Sequence, residues 1–304
     1  MKKMIVTGAS SFIGKRLIAA CQPYWDITAV VRSDPDRLPK GIRSIEMKMD
    51  SYAALGQLAG YCDCFVHLAW DGTRGQSRMD AARQQADLTS SLSGIRSMLD
   101  AGCKKVILAG SQAEYGPHTE KITEQTICRP NTEYGKAKLA LYRQAAALCE
   151  QAGAVCVEPR FFSLYGPGDE PNTMVISTLH KMMAGEDCPL TQGIQMWDYL
   201  HIEDACDALC ALCQKEDVPS GVYNFGSGDT RQLKDYITEM AEITHTQSKL
   251  LWGAIPYPET GMVSLWPDIS RLKRVLKWKP QIAFSEGIQS ILNAMSCKEI
   301  TRKC

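Results

Sequence analysis

Short apolar segments alternate with longer amphipathic segments over the first half of the chain. The apolar segments predict β-strands at 3–7, 27–31, 43–47, 63–68, 105–110 and 154–161. The segments between them predict helices at 13–21, 51–60, 78–101 and 132–152. Such alternation is typical of a parallel sheet covered by helices on both faces. We therefore expect an α/β fold built on a doubly wound parallel sheet.

The alternation ends after Gly166-Pro167-Gly168, where only 199–203 and 222–224 predict short returning strands. We expect two interleaved units. A main domain comprises 1–168 and 199–228, and a smaller C-terminal lobe comprises 169–198 and 229–304. Ligands of open parallel sheets bind at the carboxyl ends of the strands, where the candidate motifs fall.

A turn of small residues joins the first strand to the first helix. It contains Thr7, Gly8, Ser10, Ser11, Phe12, Ile13 and Gly14. Strand, turn and helix in this order bring helix N-terminal amides to a pyrophosphate, as in the Rossmann dinucleotide site. Gly8 allows the turn and Gly14 allows close packing, while Ser11 stands where a third glycine is usual. The turn predicts a dinucleotide coenzyme.

Ser111, Tyr134 and Lys138 form a candidate catalytic set. A free tyrosine titrates near ~10, so proton transfer at neutral pH requires a neighbour that favours the phenolate. Lys138 lies one helical turn after Tyr134 and supplies positive charge on the same helix face. The Ser111 hydroxyl can hold a substrate oxygen against the phenol. With these three groups, the site can transfer a proton while a coenzyme transfers a hydride.

Composition excludes several classes of function. The chain has 304 residues, with 34 Lys and Arg against 34 Asp and Glu, so no basic field attracts nucleic acid or an anionic membrane. No apolar run approaches the ~20 residues that span a bilayer, and the N-terminal run is too short for a secretory signal. We expect a cytoplasmic globular protein. The 13 cysteines lack the paired short spacings of zinc sites, so we expect no metal.

Beyond these features, further segments resemble the extended short-chain dehydrogenase/reductases, the NAD(P)-dependent epimerase/dehydratase family. The matching segments are 67–70, 159–168, 197–204, 223–228 and 276–280. The resemblance implies that the main domain binds NAD(P) and that the C-terminal lobe binds a nucleotide sugar. It assigns further coenzyme contacts to Asp50, Ser51, Leu68, Ala69, Tyr134, Lys138, Arg160 and Phe161. It also implies substrate contacts at Trp70, Gln112, Ser163 and Trp197.

Arg32 bears on the choice of coenzyme. NAD enzymes of this type place a carboxylate at the end of the second strand to bind the ribose 2′-hydroxyl. Here the strand ends in Val31-Arg32-Ser33, and a guanidinium suits a 2′-phosphate. Asp34 precedes a proline and is typical of a turn. We therefore favour NADP(H) over NAD(H), with an ordinary exposed loop arginine as the alternative.

The residues after Ser111 narrow the reaction. Related 4,6-dehydratases carry Asp-Glu at these positions, whereas this chain has Gln112 and Ala113, neither of which titrates. Segments 189–193, 252–257 and 268–272 resemble the CDP-abequose/CDP-paratose synthase group, which are 4-ketoreductases. We expect reduction of the 4-keto group of a nucleotide-linked deoxyhexose. A nucleotide-sugar 4-epimerase is the alternative, and a non-catalytic NADP(H) sensor is a second.

Two departures concern the substrate. Ser163 replaces a common asparagine, and Trp197 replaces an arginine that binds the diphosphate in relatives. Either Arg231 replaces that cation or the substrate differs from a standard nucleotide sugar. Trp197 is either a residue that stacks on a base or sugar or an ordinary core tryptophan. By family analogy we also expect a homodimer through helices 78–101 and 132–152, where Ala145-Ala146-Ala147 allows close approach.

Overall fold

The computed structural model describes residues 1–35, 38–257 and 262–303. Its strands are β1 Lys2–Thr7, β2 Trp25–Val31, β3 Arg43–Glu46, β4 Cys64–His67, β5 Lys105–Leu108, β6 Gly110–Ser111, β7 Val155–Phe161, β8 Ser163–Tyr165, β9 Cys188–Pro189, β10 Met196–Trp197, β11 Tyr199–His201, β12 Gly221–Phe225, β13 Arg231–Gln232 and β14 Leu250–Leu251. Its helices are α1 Phe12–Cys21, α2 Leu55–Ala59, α3 Ala81–Asp100, α4 Glu133–Gln151, α5 Met174–Ala184, α6 Ile202–Gln214, α7 Leu233–Thr244, α8 Ser270–Leu276 and α9 Phe284–Lys303.

The main sheet has the strand order β12-β7-β5-β4-β1-β2-β3, and β6 extends it beside β7. Every pairing in this sheet is parallel. The order reverses between β1 and β4, so the segments that follow these two strands diverge to opposite sides. A crevice opens at such a switch point. The predicted doubly wound Rossmann-type sheet is confirmed.

Two apolar layers enclose the sheet. One face packs against α1, α6 and α8 around residues such as Leu17, Leu209 and Leu272. The other face packs against α2, α3 and α4 around residues such as Ile95 and Leu141. Both faces of the central strands are buried, which explains why β1 and β4 are apolar at successive positions.

Side-chain caps fix the start of the helices that border the crevice. Ser11 caps α1 by accepting from the Gly14 amide at 3.0 Å. Asp80 caps α3 by accepting from the Arg83 amide at 3.1 Å. Thr132 caps α4 by accepting from the Gly135 amide at 3.0 Å. Each cap satisfies a backbone donor that the helix itself cannot pair.

A separate apolar cluster lies outside the two layers that cover the main sheet. It contains α5, α7 and the first turns of α9, with Tyr165, Tyr236, Phe284 and Ile288 among its buried residues. The strand β11, predicted within 199–203, pairs with β8 and not with the main sheet. The helix α8 belongs to the segment 229–304, which the sequence assigned to the lobe. It packs instead on the main sheet, through Leu272. Residues 258–261 and 304 of that segment lie outside the described part.

Several element boundaries differ from the predictions. The predicted helix 51–60 is a 3₁₀ turn at Met49–Ala54 followed by the short α2. The predicted helix 78–101 begins only at Ala81, because Asp80 caps it and a separate 3₁₀ turn occupies Gly75–Met79. The predicted strand 105–110 is interrupted at Ala109. The next two residues form β6, which pairs with β7 and is followed directly by the turn at Gln112.

Candidate functional site

The turn after β1 shapes one wall of the crevice. Gly8 adopts a φ of +66°, and a Cβ there would lie 2.8 Å from the Ala69 amide nitrogen. A Cβ on Gly14 would lie 2.3 Å from the Gly8 carbonyl oxygen. Because α1 begins here, its first amides face the crevice beside the Ser11 cap. The backbone therefore forms a cradle that side chains at Gly8 and Gly14 would fill.

A cavity of 590 Å³ occupies the crevice. Eight of the predicted contacts line it, namely Gly8, Ser10, Ser11, Arg32, Asp50, Leu68, Ala69 and Trp70. Phe12, Ile13 and Gly14 form the adjoining first turn of α1. Ser51 is exposed beside the cavity, and its hydroxyl donates to Asp50 at 2.9 Å.

Three other predicted coenzyme contacts lie inside the protein. Thr7 is fully buried, and its hydroxyl is 2.8 Å from His67 Nδ1. Phe161 packs edge-on against Phe225 with ring centroids 5.1 Å apart. Arg160 is 2% exposed and ion-pairs with buried carboxyl groups. The structure therefore gives the Arg160 guanidinium a partner other than the predicted coenzyme.

Arg32 lies at the mouth of the cavity and faces a carboxylate. Its Nη1 is 3.2 Å from Asp71 Oδ1, and both side chains are more than half exposed. Arg83 approaches the other oxygen of Asp71 at 3.8 Å. Lys48 also lines the cavity. The mouth of the cavity thus contains the predicted cation, Arg32. It also contains Asp71, a carboxylate that would compete with a 2′-phosphate for Arg32.

A polar stripe on α3 fixes the segment after β4. Gln84 accepts from the Trp70 indole N–H at 2.8 Å, and Asp87 Oδ2 accepts from the Asp71 amide at 3.0 Å. Ser91 Oγ is 2.9 Å from His67 Nε2. All three side chains are buried. Sequence reasoning did not identify this stripe, although polar residues at spacings of three and four on a buried helix face could have indicated it.

Tyr134 and Lys138 emerge from the first turns of α4 beneath Trp70. Tyr134 is 8% exposed and Lys138 is 4% exposed. The Trp70 and Tyr134 rings meet edge to face at 6.1 Å, and the Lys138 ammonium lies 4.2 Å from the Trp70 ring centroid. Both predicted catalytic side chains therefore contact Trp70, which lines the cavity, but neither lines the cavity itself.

The two pKa values reflect this burial. Burial raises the pKa of Tyr134 to about 12, while the Ser111 hydroxyl and the Arg78 guanidinium lower it. Burial lowers the pKa of Lys138 to about 8, against the raising effect of Glu114, Glu158 and Asp87. Each shift disfavours the charged form of a buried group. Proton exchange by Tyr134 at neutral pH therefore requires the cations around it.

Arg78 is a cation at this site that the sequence did not reveal. Its Cζ lies 4.5 Å from the Tyr134 ring centroid, and its Nη1 donates to the Thr73 carbonyl at 3.2 Å. It extends from the 3₁₀ turn before α3, a segment the sequence assigned to helix. A guanidinium stacked on the ring stabilises the phenolate over the phenol. Arg78 thus adds to the role predicted for Lys138.

Ser111 ends β6 and starts a short 3₁₀ turn. Its Oγ accepts from the Ala113 amide at 3.2 Å, and its own N–H donates to Glu114 Oε1 at 2.7 Å. Gln112 follows it at an intermediate degree of burial. Glu114 is fully buried and its other oxygen lies 2.9 Å from Arg160 Nη2. Both oxygens of the Glu114 carboxyl group therefore have partners inside the protein, and Glu114 does not line the cavity.

Of the predicted substrate contacts, Trp70 and Gln112 lie in the segments after β4 and β6, whereas Ser163, Trp197 and Arg231 lie on short strands. Ser163 pairs with Tyr199 between β8 and β11, and Trp197 pairs with Arg231 between β10 and β13. The Arg231 guanidinium is 2.8 Å from Glu239 and 3.2 Å from Asp229, and it stacks on the Tyr236 ring at 4.1 Å. Arg231 is therefore already paired with two carboxylates, which an incoming diphosphate would have to displace.

Comparison with known proteins gives relatives over most of the chain. Residues 4–226 match the NAD dependent epimerase/dehydratase family. The GDP-6-deoxy-D-mannose reductase of Pseudomonas aeruginosa is 25% identical over 96% of both chains. The CDP-abequose synthase of Salmonella muenchen is 22% identical over 96% of this chain and 97% of its own. The UDP-glucose 4-epimerase of Corynebacterium glutamicum is 24% identical over 80% of both chains.

Solved structures share the fold. MoeE5 in complex with UDP-glucose and NAD superimposes with a TM-score of 0.85 at 24% identity, over 97% of this chain and 99% of that chain. RMD from Pseudomonas aeruginosa complexed with NADPH gives a TM-score of 0.84 at 22% identity, over 98% and 100%. Among the described residues, no helix has both the length and the apolar composition required to cross a membrane.

Proposed function

Because the chain belongs to the NAD-dependent epimerase/dehydratase family, we propose that it is a cytoplasmic enzyme that reduces the 4-keto group of a nucleotide-linked deoxyhexose with NADPH. The observation that carries the proposal is that Tyr134 and Lys138 both contact Trp70 in the crevice. The turn that Ser111 caps has no titrating residue at its first two positions, Gln112 and Ala113. The crevice fits a dinucleotide, since glycines at positions 8 and 14 leave its backbone cradle open.

When bound, the nicotinamide coenzyme supplies the hydride. Tyr134 donates the proton that the 4-oxygen requires, and the Ser111 hydroxyl holds the same oxygen against the phenol. Arg78 stacks on the Tyr134 ring and stabilises the phenolate that remains after donation, and we assign the same role to Lys138, one helical turn later on α4. Trp70 covers these groups and limits the access of water, which strengthens the electrostatic effects within the site.

The surroundings of Ser111 favour reduction over dehydration. Gln112 and Ala113 provide neither an acid nor a base. Glu114, the nearest carboxylate in sequence, binds Arg160 and the Ser111 amide and is fully buried. The relatives named as a GDP-6-deoxy-D-mannose reductase and as CDP-abequose synthase, which align over almost the whole chain, support a reductase.

A nucleotide-sugar 4-epimerase is the second candidate. The UDP-glucose 4-epimerase relative supports it, and an epimerase uses the same Ser111, Tyr134 and Lys138 chemistry. The two candidates differ in whether the coenzyme is consumed. A reductase oxidises one NADPH for each sugar, whereas an epimerase returns the hydride to the opposite face of the sugar.

The preference for NADPH rests on Arg32 and Lys48 at the cavity mouth. A 2′-phosphate would compete with Asp71 for Arg32. On the substrate side, we propose that Ser163, Trp197 and Gln112 contact the sugar nucleotide. Arg231 would bind the diphosphate only after leaving Asp229 or Glu239.

The experiment is a coenzyme assay with purified protein. NADPH is mixed with a panel of nucleotide-linked 4-keto-6-deoxy sugars, and its absorbance is followed. We expect stoichiometric NADPH loss with at least one member of the panel. The corresponding 4-hydroxy sugars are incubated in parallel, and their interconversion without net NADPH loss would replace the reductase with the epimerase. Absence of both reactions, with coenzyme binding retained, would support the non-catalytic sensor.

A further inference from the structure

The side chains of Glu114, Glu158 and Arg160 are buried together beside the turn that Ser111 caps. Arg160 Nη2 lies 2.9 Å from Glu114 Oε2, and Arg160 Nε donates to Glu158 Oε2 at 2.8 Å. None of the three side chains is more than 3% exposed. Breaking a buried charge pair is costly because it leaves an uncompensated ion. We call these residues the buried triad.

The triad contacts the catalytic loop at two points. Glu114 Oε1 accepts from the Ser111 amide at 2.7 Å, so one carboxyl group links Arg160 to the backbone of the candidate catalytic serine. Glu158 packs under Gly110, where a Cβ would lie 2.6 Å from Glu158 Cγ. The orientation of the Ser111 loop thus depends on side chains from both the 3₁₀ turn and β7.

The charges of the triad do not balance if both carboxyl groups are ionised. Two carboxylates and one guanidinium would leave one net negative charge away from water. Burial, opposed by Arg160, raises the pKa of Glu114, and burial together with Glu114 raises the pKa of Glu158 well above its usual range. Two carboxyl groups that share a site retain one proton between them.

Other titratable groups also surround the triad. Lys138 from α4 acts on both carboxyl groups, and the Arg160 guanidinium lies over the rings of Tyr115 and Tyr142 and donates to Cys128 Sγ. Burial lowers the pKa of Lys138 to about 8, and Glu114, Glu158 and Asp87 act against that shift.

We propose that Glu114 is a positioning residue for Ser111, and that Glu114, Arg160 and Glu158 act as one buried unit holding a single shared proton. The first part rests on the proposed function of Ser111, whereas the second part does not. The unit keeps the serine hydroxyl directed at the reacting oxygen.

The positioning role is tested by kinetics. Glu114→Gln retains an oxygen for the Ser111 amide and leaves Glu158 to balance Arg160, so kcat should stay within about threefold of the wild-type value. Glu114→Ala removes the bond, and kcat should fall roughly 10- to 100-fold while the KM for NADPH stays within about twofold. Glu150→Gln, an exposed carboxylate on α4, is the matched control.

Equal kcat values for Glu114→Ala and wild type would overturn the positioning role. So would a loss in Glu114→Gln as large as the loss in Glu114→Ala. A wild-type protein that binds NADPH but turns over no sugar would instead count against the proposed function. The shared proton must then be tested by a measurement that does not depend on activity.

That measurement is the pH dependence of unfolding in urea between about pH 5 and 8. The folded triad holds a proton that the unfolded chain releases above the ordinary glutamate pKa of 4.5, so this contribution to stability is lost as pH rises. The proton contributes a tenfold increase in the unfolding constant per pH unit. Glu158→Gln should remove that contribution relative to wild type, and Glu150→Gln should keep it. Identical slopes for wild type and Glu158→Gln would overturn the shared proton.

Discussion

Tyr134 combines two properties that oppose each other. Its burial raises the pKa of the phenol to about 12, which makes it a poor proton donor in isolation from other charges. The stacked Arg78 and the Ser111 hydroxyl both act in the other direction. Under the proposed function, the phenol stays protonated until the substrate oxygen takes the proton, and Arg78 stabilises the phenolate that results.

Tyr134→Phe should abolish turnover and leave NADPH binding nearly unchanged, because the ring can still pack against Trp70. General acid catalysis contributes ~10²–10⁴-fold, and we expect a loss of kcat in this range. Steady-state kinetics and a coenzyme titration check both parts. Tyr24→Phe, an exposed tyrosine outside the site, is the control. A loss smaller than about tenfold would exclude Tyr134 as the proton donor.

Arg32 and Asp71 give a second prediction at this scale. Arg32→Ala should weaken NADPH binding by about tenfold and change NADH binding little, since a charge-assisted hydrogen bond to phosphate contributes ~1.5–3 kcal/mol and solvent at the mouth screens part of it. Asp71→Asn should strengthen NADPH binding roughly two- to fivefold, because it releases Arg32 from an exposed ion pair.

Both coenzyme affinities should be measured by titration at one fixed ionic strength. Equal affinity of the wild-type protein for NADPH and NADH would contradict the role of Arg32. An unchanged NADPH affinity in Asp71→Asn would show instead that the ion pair with Arg32 does not compete with the phosphate.

At the scale of elements, a buried lysine of β5 binds the C-terminal end of α6. The Lys105 ammonium, on β5, donates to the Cys213 carbonyl at 2.9 Å and to the Lys215 carbonyl at 2.7 Å. The last carbonyls of a helix lack partners within the helix, and a cation there also meets the negative end of the helix dipole. Lys105 therefore fastens a covering helix to the main sheet.

Lys105→Met should destabilise the fold by ~1–3 kcal/mol, because it leaves the buried carbonyl oxygens at the end of α6 without a donor. Urea unfolding followed by circular dichroism measures the change. Lys104→Met replaces the neighbouring exposed lysine and is the matched control. If both variants unfold at the same midpoint, Lys105 does not stabilise the end of α6.

The sequence predicted those parts of the fold that depend on local pattern. The strands β1 and β4 and the helix α4 follow from apolar runs and caps. The buried triad could not be predicted, because Glu114 and Glu158 are 44 positions apart in the sequence and meet only when β7 pairs with β6. Arg78 was also missed, because its proximity to Tyr134 depends on the path of a loop.

At the scale of the whole molecule, we propose a homodimer formed through α3 and α4. The helices cover one face of the sheet side by side, and their outer faces are polar. Of the three alanines that suggested close approach, Ala145 is fully buried in the protein's own core, whereas Ala147 is exposed. Only the outer positions of α4 are therefore available to a second copy.

Light scattering at micromolar concentration should give twice the mass of one chain. Ala147→Glu, which places a charge on the outer face of α4, should shift the protein towards the monomer with little effect on its unfolding midpoint. Ala19→Glu, at an exposed position on α1, is the control. A monomeric wild-type protein would refute the dimer.

The proposed reduction can be followed through the hydride itself. NADPH carrying deuterium at the transferred position is incubated with the nucleotide-linked 4-keto sugar that the panel identifies, and the product is analysed by mass spectrometry and NMR. The proposed function predicts one deuterium at C4 of the sugar for each NADPH oxidised, and no transfer in Tyr134→Phe. Recovery of the sugar with no deuterium at C4, whether its 4-keto group is retained or reduced, would contradict it.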